Sequence, residues 1–440
     1  MQLPDVHRAA APLYIESLDQ EGRGIARREG KAIFVDGALP GEEATVSVYR
    51  KKPSFEMANV QTLVKASPGR VSARCPYFGR CGGCALQHID LPTQVAAKQR
   101  ILEDALWHIG KVRPDEMLAA IHGPDWEYRH RARFTARHVP KKGGVLVGFH
   151  EKRSSYVVDM TSCEVVPQRI SKLFSPLREM LSGLSIRQRL PQIELSVGDN
   201  ADVLVLRVLE PPSREDDTAL RAFADRHALY LYLQPGGPET AQPFHPTTGA
   251  NLYYALSEFD VRVYFEPTDF TQVNHAMNRV LVRRALALLA PQPGERIADM
   301  FCGLGNFSLP IARSGAGVLG IEGTKTLVGR AQHNAARNGL SDKIRFEVMN
   351  LFDIDAGRLT ALGPLDGMII DPPRDGALEL VKAFGVDAPK RVVYVSCSPG
   401  TLARDAGVLV HSKGYTLKAT GILNMFPHTA HVESIALFQQ

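Results

Sequence analysis

The chain has 440 residues, 44% hydrophobic and 22% charged, which excludes a disordered polymer and allows about three globular domains at the usual size. Its net charge of +5 suits a polyanionic partner without requiring one. No apolar run approaches a membrane span, and the start of the chain, with Pro4, Asp5, His7 and Arg8, lacks the apolar core of a signal peptide; a cytoplasmic location is expected, where six cysteines act as thiols or metal ligands rather than disulfides.

From Leu13 to Ala66 short strand-like runs alternate with turns: Leu13–Leu18, Gly22–Arg27, Lys31–Val35 and Ala44–Val48. Period-two alternation with regular Gly and Pro predicts a small all-β barrel over 1–67. Arg27, Arg28, Lys31, Arg50, Lys51 and Lys52 give it charge, either for RNA or as a solvated surface. A central α+β region is expected over 68–266. It opens with Cys75, Cys81 and Cys84, continues with a helix over Pro92–Ile109, and contains strand-like runs at Val145–Phe149, Ala201–Val208 and Leu229–Leu233. The run Tyr128-Arg129-His130-Arg131-Ala132-Arg133-Phe134 alternates cations with aromatics, a pattern that suits either phosphate contact or a salt-bridged sheet face.

Over 267–440 the pattern changes to alternating helix and strand, the mark of an open, mostly parallel α/β sheet. A helix is expected over Asn274–Ala290. Strands are expected at Arg296–Phe301, Gly317–Glu322, Ile344–Met349, Gly367–Asp371 and Arg391–Ser396. Each ends in a polar or reactive residue, and in such sheets ligands bind beyond the carboxyl ends of the strands. Asp299-Met300-Phe301-Cys302-Gly303-Leu304-Gly305 supplies a glycine turn after a strand, with Glu322 ending the next one, where a carboxylate can accept both hydroxyls of a ribose. Cys302 reads as a small packing residue.

Two cysteine features bear on chemistry. Cys397, in Ser396-Cys397-Ser398-Pro399, stands where a strand gives way to a helix, and His431-Val432-Glu433 follows at a distance a neighbouring strand can bridge. A thiol with a partner carboxylate suits covalent catalysis. Cys75, Cys81, Cys84 and the distant Cys163 form a four-thiol set of metal-ligand type. Its spacing fits zinc and an iron–sulfur cluster alike, and Gly82-Gly83 lets backbone amides approach sulfur.

The glycine turn, together with Asp371-Pro372-Pro373-Arg374, resembles S-adenosylmethionine-dependent methyltransferases. The match extends further: Asp269-Phe270-Thr271-Gln272-Val273-Asn274, Asp299–Phe307, Asp371–Arg374, Ser396–Pro399 and His431–Glu433 fall in the order of the RNA 5-methyluridine methyltransferases. The cysteine set resembles the RumA-type 23S rRNA (uracil-5-)-methyltransferase branch, and the N-terminal strands look like a TRAM domain. One departure is Ser398, where many relatives have Asn.

The resemblance implies a Rossmann-like class I methyltransferase domain at the C-terminus, behind a TRAM or OB-like barrel and a central domain carrying a [4Fe–4S] cluster. It implies Cys397 as the nucleophile toward uracil C6 and Glu433 as the acceptor of the C5 proton. Gln272, Phe301, Asn306, Glu322, Asn350 and Asp371 would bind S-adenosylmethionine, and Cys75, Cys81, Cys84 and Cys163 the cluster, which it favours over zinc. The implied partner is 23S rRNA, with the uridine flipped or looped out, and the enzyme is expected to be monomeric. His428 and His431 are expected to pack or hydrogen-bond around Glu433, and Arg374 either binds phosphate or braces its loop. Three other readings stay open: the same chemistry on tRNA, an exocyclic-nitrogen methyltransferase using Asp371-Pro372-Pro373 as its clamp, and a non-catalytic RNA-binding iron–sulfur protein.

Overall fold

A computed structural model describes residues 11–440; the reading of the first residues as lacking a signal peptide lies almost wholly outside them. Three sheets of six or more strands organise the chain, with one separate hairpin. The first has six strands whose two end members, Leu13–Tyr14 and Ser17–Leu18, are consecutive in the chain. One bent segment therefore closes the sheet on itself as a small barrel. Its core is Ile15, Ala26, Ile33, Val35 and Ala58, from the inward positions of alternating strands. The longest strand, Phe55–Lys65, carries no clean alternation and is absent from the expected runs, because only Ala58 in it is fully buried.

The second sheet also has six strands, in spatial order 242–245, 230–234, 202–207, 192–197, 131–139 and 144–148. Helices Phe174–Gly183 and Arg214–His227 supply Phe174, Leu177, Leu220 and Phe223 to the core shared with Ile193, Leu204 and Leu206. The helix expected over Pro92–Ile109 runs Leu91–Ala105, capped by Asp90, and ends in a π-helical turn, Leu106–Gly110.

The third sheet has eight strands, in the order 344–348, 317–322, 296–300, 367–370, 391–396, 433–439, 416–423 and 116–117. Pairing is parallel from 344–348 through 391–396 and antiparallel on both sides of 433–439. The inner parallel strands 317–322, 367–370 and 391–396 are apolar runs buried except at their ends, as sheets covered on both faces require, whereas the edge strand 344–348 alternates. The expected strands stand here to within a residue.

Packing cuts across the expected boundary between 266 and 267. Hairpin Tyr253–Leu256/Val261–Tyr264 buries Tyr254, Val261 and Val263 against Met277 and Leu281 of helix His275–Leu289. Leu102, Ala105 and Leu106 pack with Leu402, Ala403 and Leu409 of helix Pro399–Lys413, and Glu116–Met117 pairs with the edge of the third sheet. Two segments of the central region thus belong, by packing, with the C-terminal sheet. Among the described residues no helix is long and apolar enough to cross a membrane.

Candidate active site

The parallel strands of the third sheet change direction of progression between Arg296–Met300 and Gly367–Ile370, and ligand crevices form at such switch points. The turn after Met300 needs three left-handed residues in five: Phe301 (φ 65°), Gly303 (53°) and Gly305 (90°). Glycine adopts that conformation without cost, which explains Gly303 and Gly305, whereas Phe301 is held there against its preference. Glu322, at the end of the adjacent strand, accepts the Gly303 amide at 3.1 Å and the Gly323 amide at 2.7 Å, tying two strand ends together. Asn306 is gripped by Asn278 through a reciprocal pair of bonds at 2.9 and 3.0 Å and by the Tyr254 hydroxyl at 2.9 Å. Asn350 is exposed, pairs with Asp353 and accepts the Phe352 amide at 3.1 Å. The Phe301 and Phe352 rings stand 5.6 Å apart and flank the mouth of the turn. Gln272 lies half-buried just ahead of helix His275–Leu289.

Acid groups converge beneath this turn. Asp299 is fully buried and accepts Ser308 Oγ at 2.5 Å; burial, with Asp371 and Glu322 nearby, pushes its carboxyl up to about 7. Burial likewise raises Asp371 to about 7. Cys302 is buried among packing residues, as expected, and its thiol is raised further by burial and by Asp299.

The geometry around Cys397 follows from strand register. Arg391–Ser396 pairs antiparallel with Glu433–Gln439, and Ser396 stands opposite Ser434. One step outward, the same register sets Cys397 opposite Glu433. Directly opposed residues point to one face with Cβ atoms about 5 Å apart. The electrostatics agree: burial, then Glu433 and Asp371, push the Cys397 thiol up to about 11, and Arg374 opposes them. Glu433 is 3% exposed, and burial with Asp371 nearby holds its carboxyl well above the usual range. A buried acid group beside a half-buried thiol suits proton transfer to and from a reacting centre.

The neighbours fall as follows. Arg374 donates to His431 Nδ1 at 3.0 Å, so this arginine braces the loop ahead of Glu433. His428 is buried and stacks on Trp126 with ring centroids 3.9 Å apart. Ser398 occupies the N-cap of helix Pro399–Lys413 without capping it through its side chain; its carbonyl accepts Ser396 Oγ and Thr401 Oγ1, both at 3.1 Å. The cation–aromatic run 128–134 forms the salt-bridged sheet face, one of its two expected readings. Its strand begins at Arg131, Arg131 and Arg133 both pair with Glu194, at 3.7 and 2.9 Å, and Tyr128 is buried. Arg28, Arg50, Lys51 and Lys52 on the barrel are exposed.

Cys75, Cys81, Cys84 and Cys163 line one cavity, together with Phe78 and Met160. The sulfur-directed amide expected from Gly82-Gly83 is present: the Gly83 amide donates to Cys81 Sγ at 3.4 Å. Burial raises all four thiols, Cys84 to about 11 and Cys163 to about 12, so four converging thiolates would be stable only around a cation. Among the described residues no group of three or more His, Cys, Asp or Glu side chains is placed to hold a metal ion.

Three residues near the crevice have no sequence signature: Asn278 and Tyr254, which grip Asn306, and Phe352, beside Phe301. Only the helical spacing of Asn278 after Asn274, on the face that also buries His275, hinted at one of them.

Against known proteins, residues 92–440 match the model of the tRNA (Uracil-5-)-methyltransferase family and residues 11–55 that of the TRAM domain. A relative from Nitrosospira multiformis, named 23S rRNA (uracil(1939)-C(5))-methyltransferase RlmD, is 60% identical over 98% of this chain and 98% of its own. One of the same name from Aromatoleum aromaticum is 59% identical over 97% of this chain and 99% of its own. The fold matches that of the Pyrococcus abyssi tRNA (uracil-54, C5)-methyltransferase, solved with S-adenosyl-L-homocysteine, at a TM-score of 0.72 and 24% identity, covering 97% of this chain and all of that one. It is therefore a class I methyltransferase fold with an N-terminal TRAM barrel, and the chain belongs to the tRNA (Uracil-5-)-methyltransferase family.

Proposed function

We propose that the protein transfers a methyl group from S-adenosylmethionine to C5 of a uridine in 23S rRNA, through a covalent bond between Cys397 and C6. The observation that carries this reading is the antiparallel register ending with Ser396 opposite Ser434, which brings the adjoining residues Cys397 and Glu433 to the same end of the two strands. The names of near full-length relatives support the ribosomal substrate over tRNA. S-adenosylmethionine supplies an electrophilic methyl on a sulfonium. The chain's own residues do the rest. Cys397 gives its proton to solvent and, as thiolate, adds to C6, and the displaced electron pair passes through C5 to the C4 oxygen as an enolate. C5 then takes the methyl group as its bond to sulfur breaks, with S-adenosylhomocysteine as the leaving group. Glu433, as carboxylate, removes the remaining C5 proton, and the enolate re-formed expels the Cys397 thiolate, restoring the C5–C6 double bond. Phe301, Glu322, Asn350 and Gln272 would line the donor crevice, with Asn306 buttressed for contact and Asp371 between donor and base.

Cys75, Cys81, Cys84 and Cys163 would hold a [4Fe–4S] cluster. A single zinc needs every sulfur within about 2.3 Å of one point; a cluster binds each sulfur at a separate iron and spreads them. That all four thiols line one cavity supports a shared metal group held by the set, and the resemblance to the ribosomal branch favours the cluster. The barrel over 1–67 would bind RNA with its exposed Arg28, Arg50, Lys51 and Lys52, the region 68–266 would carry the cluster, and 267–440 the methyl transfer. A monomer in the cytoplasm, acting on a uridine flipped out of its stack, completes the reading, since C6 cannot be reached inside a helix.

The test is release of tritium from [5-³H]uridine-labelled 23S rRNA. Release that requires S-adenosylmethionine and vanishes in Cys397→Ala supports the reading. Methylation without tritium release would instead indicate an exocyclic-nitrogen enzyme.

A further inference from the structure

The connection between strands Thr416–Leu423 and Glu433–Gln439 is long for a hairpin, and it is held in an unusual way. Consecutive carbonyls along it each accept from a different distant segment. Met425 O accepts Asn274 Nδ2 at 3.1 Å, Phe426 O accepts Lys98 Nζ at 2.8 Å, and Pro427 O accepts the Tyr128 hydroxyl at 2.9 Å. His428 O accepts two amides, Ala85 at 2.8 Å and Leu86 at 2.9 Å, from the residues that directly follow Cys84.

His428 is the tightest point of this loop. Its backbone is left-handed, with φ 64°, a conformation a non-glycine residue keeps only when its surroundings impose it. Buried Gln94 provides part of that hold. Its Oε1 accepts the His428 amide at 2.9 Å, and its Nε2 lies 3.2 Å from His428 Nδ1. Trp126 stacks on the ring from outside. Five residues farther on, the loop delivers Glu433 beside Cys397, and on the way it presents His431 to Arg374.

We propose that His428 is a latch through which the four-cysteine segment holds the 424–432 loop against the uridine site, so that the metal-binding segment is a positioning part of that site and not a separate module. The inference rests on the proposed cluster and covalent chemistry, yet its first readout needs no covalent chemistry, and its Gln94→Leu arm needs no removal of metal. Gln94, Trp126 and the Ala85–Leu86 amides are positioning groups: they act through the loop, while the donor crevice lies on other strand ends. Loosening the latch should therefore impair attack by Cys397 while sparing the donor.

Hydrogen exchange measured by mass spectrometry on the full-length protein tests this. Loss of the latch bonds should speed exchange of peptides covering 424–432 about tenfold, in iron-depleted protein and equally in iron-loaded Gln94→Leu. Trp126→Leu, at a half-buried position, should act in the same direction and guards against a Gln94 variant that fails to fold. In the iron-loaded variants S-adenosylhomocysteine affinity should stay within about twofold of wild type, while the rate of Cys397 adduct formation with RNA falls about tenfold. Faster exchange confined to the cysteine segment, with 424–432 unchanged, would overturn the latch. So would a parallel loss of donor affinity, which would mark a general loss of structure. If no adduct forms even with wild-type protein, the covalent reading fails, and the exchange result still decides the latch.

Discussion

Alkylation of Cys397 by iodoacetamide in the donor-free protein should rise about tenfold for each pH unit from 7 to 10, because the thiolate is the reacting species. Burial, reinforced by Glu433 and Asp371 and only partly opposed by Arg374, pushes this thiol up to about 11. At pH 7.5 the thiolate fraction is then about 3 in 10,000, against about 1 in 10 for a free cysteine near 8.5. The more basic thiolate is also the stronger nucleophile; a Brønsted coefficient of about 0.45 returns about 13-fold. Cys397 should thus react about 20-fold more slowly than free cysteine at pH 7.5, before any steric shielding. Shielding lowers all rates alike, so the slope against pH carries the test, read peptide by peptide to separate Cys397 from the other thiols. The same charges predict that cationic S-adenosylmethionine speeds alkylation at fixed pH relative to S-adenosylhomocysteine, which lacks the sulfonium. A profile that levels off near pH 8, or a donor with no such effect, would refute the electrostatic account of this thiol.

Three further outcomes follow from particular contacts. Asn278→Leu removes the reciprocal bonds to Asn306 and should weaken donor binding about tenfold in calorimetry, with the melting temperature little changed. Lys98 is buried with no carboxylate partner among the described residues, and burial lowers its ammonium to about 7. The unfolded chain, titrating near about 10.4, holds this proton when the folded one does not, so the cost of burying Lys98 is full below pH 7 and fades as pH rises toward 10. The stability of Lys98→Met relative to wild type, followed by denaturant titration, should therefore fall by about 1.4 kcal/mol per pH unit across that window; a flat difference would contradict the shift. Cys163→Ser should lose iron, sulfide and broad visible absorption together, whereas colourless wild-type protein carrying one zinc would exclude the cluster.

What the sequence revealed depended on how local the determining physics is. The runs Gly317–Glu322 and Arg391–Ser396 are continuous apolar segments bounded by glycine or polar residues, so their ends are visible without tertiary information. Cys397 and Glu433 were legible as a pair because each ends or begins such a strand, and the register joining them follows from the sheet order. Strand Phe55–Lys65 escaped because its partners, rather than its own alternation, define it. The helix Leu91–Ala105 shows the same limit. Its buried stripe includes Gln94 and Lys98, which no amphipathic pattern would place inside. Their partners lie more than 300 residues away, on the loop ahead of Glu433. The 128–134 run stayed ambiguous for a related reason: the partner of its arginines, Glu194 on a neighbouring strand, is invisible until the sheet is assembled.

The most direct measurement is denaturing electrophoresis of Glu433→Gln after incubation with 23S rRNA and S-adenosylmethionine. With the proton acceptor gone, methylation should proceed and elimination should stall, leaving protein and RNA joined in a slow-migrating band. That band should disappear in the Cys397→Ala, Glu433→Gln double variant. Absence of any adduct, under conditions where wild-type protein methylates the same RNA, would contradict the assignment of Cys397 and Glu433 as nucleophile and base.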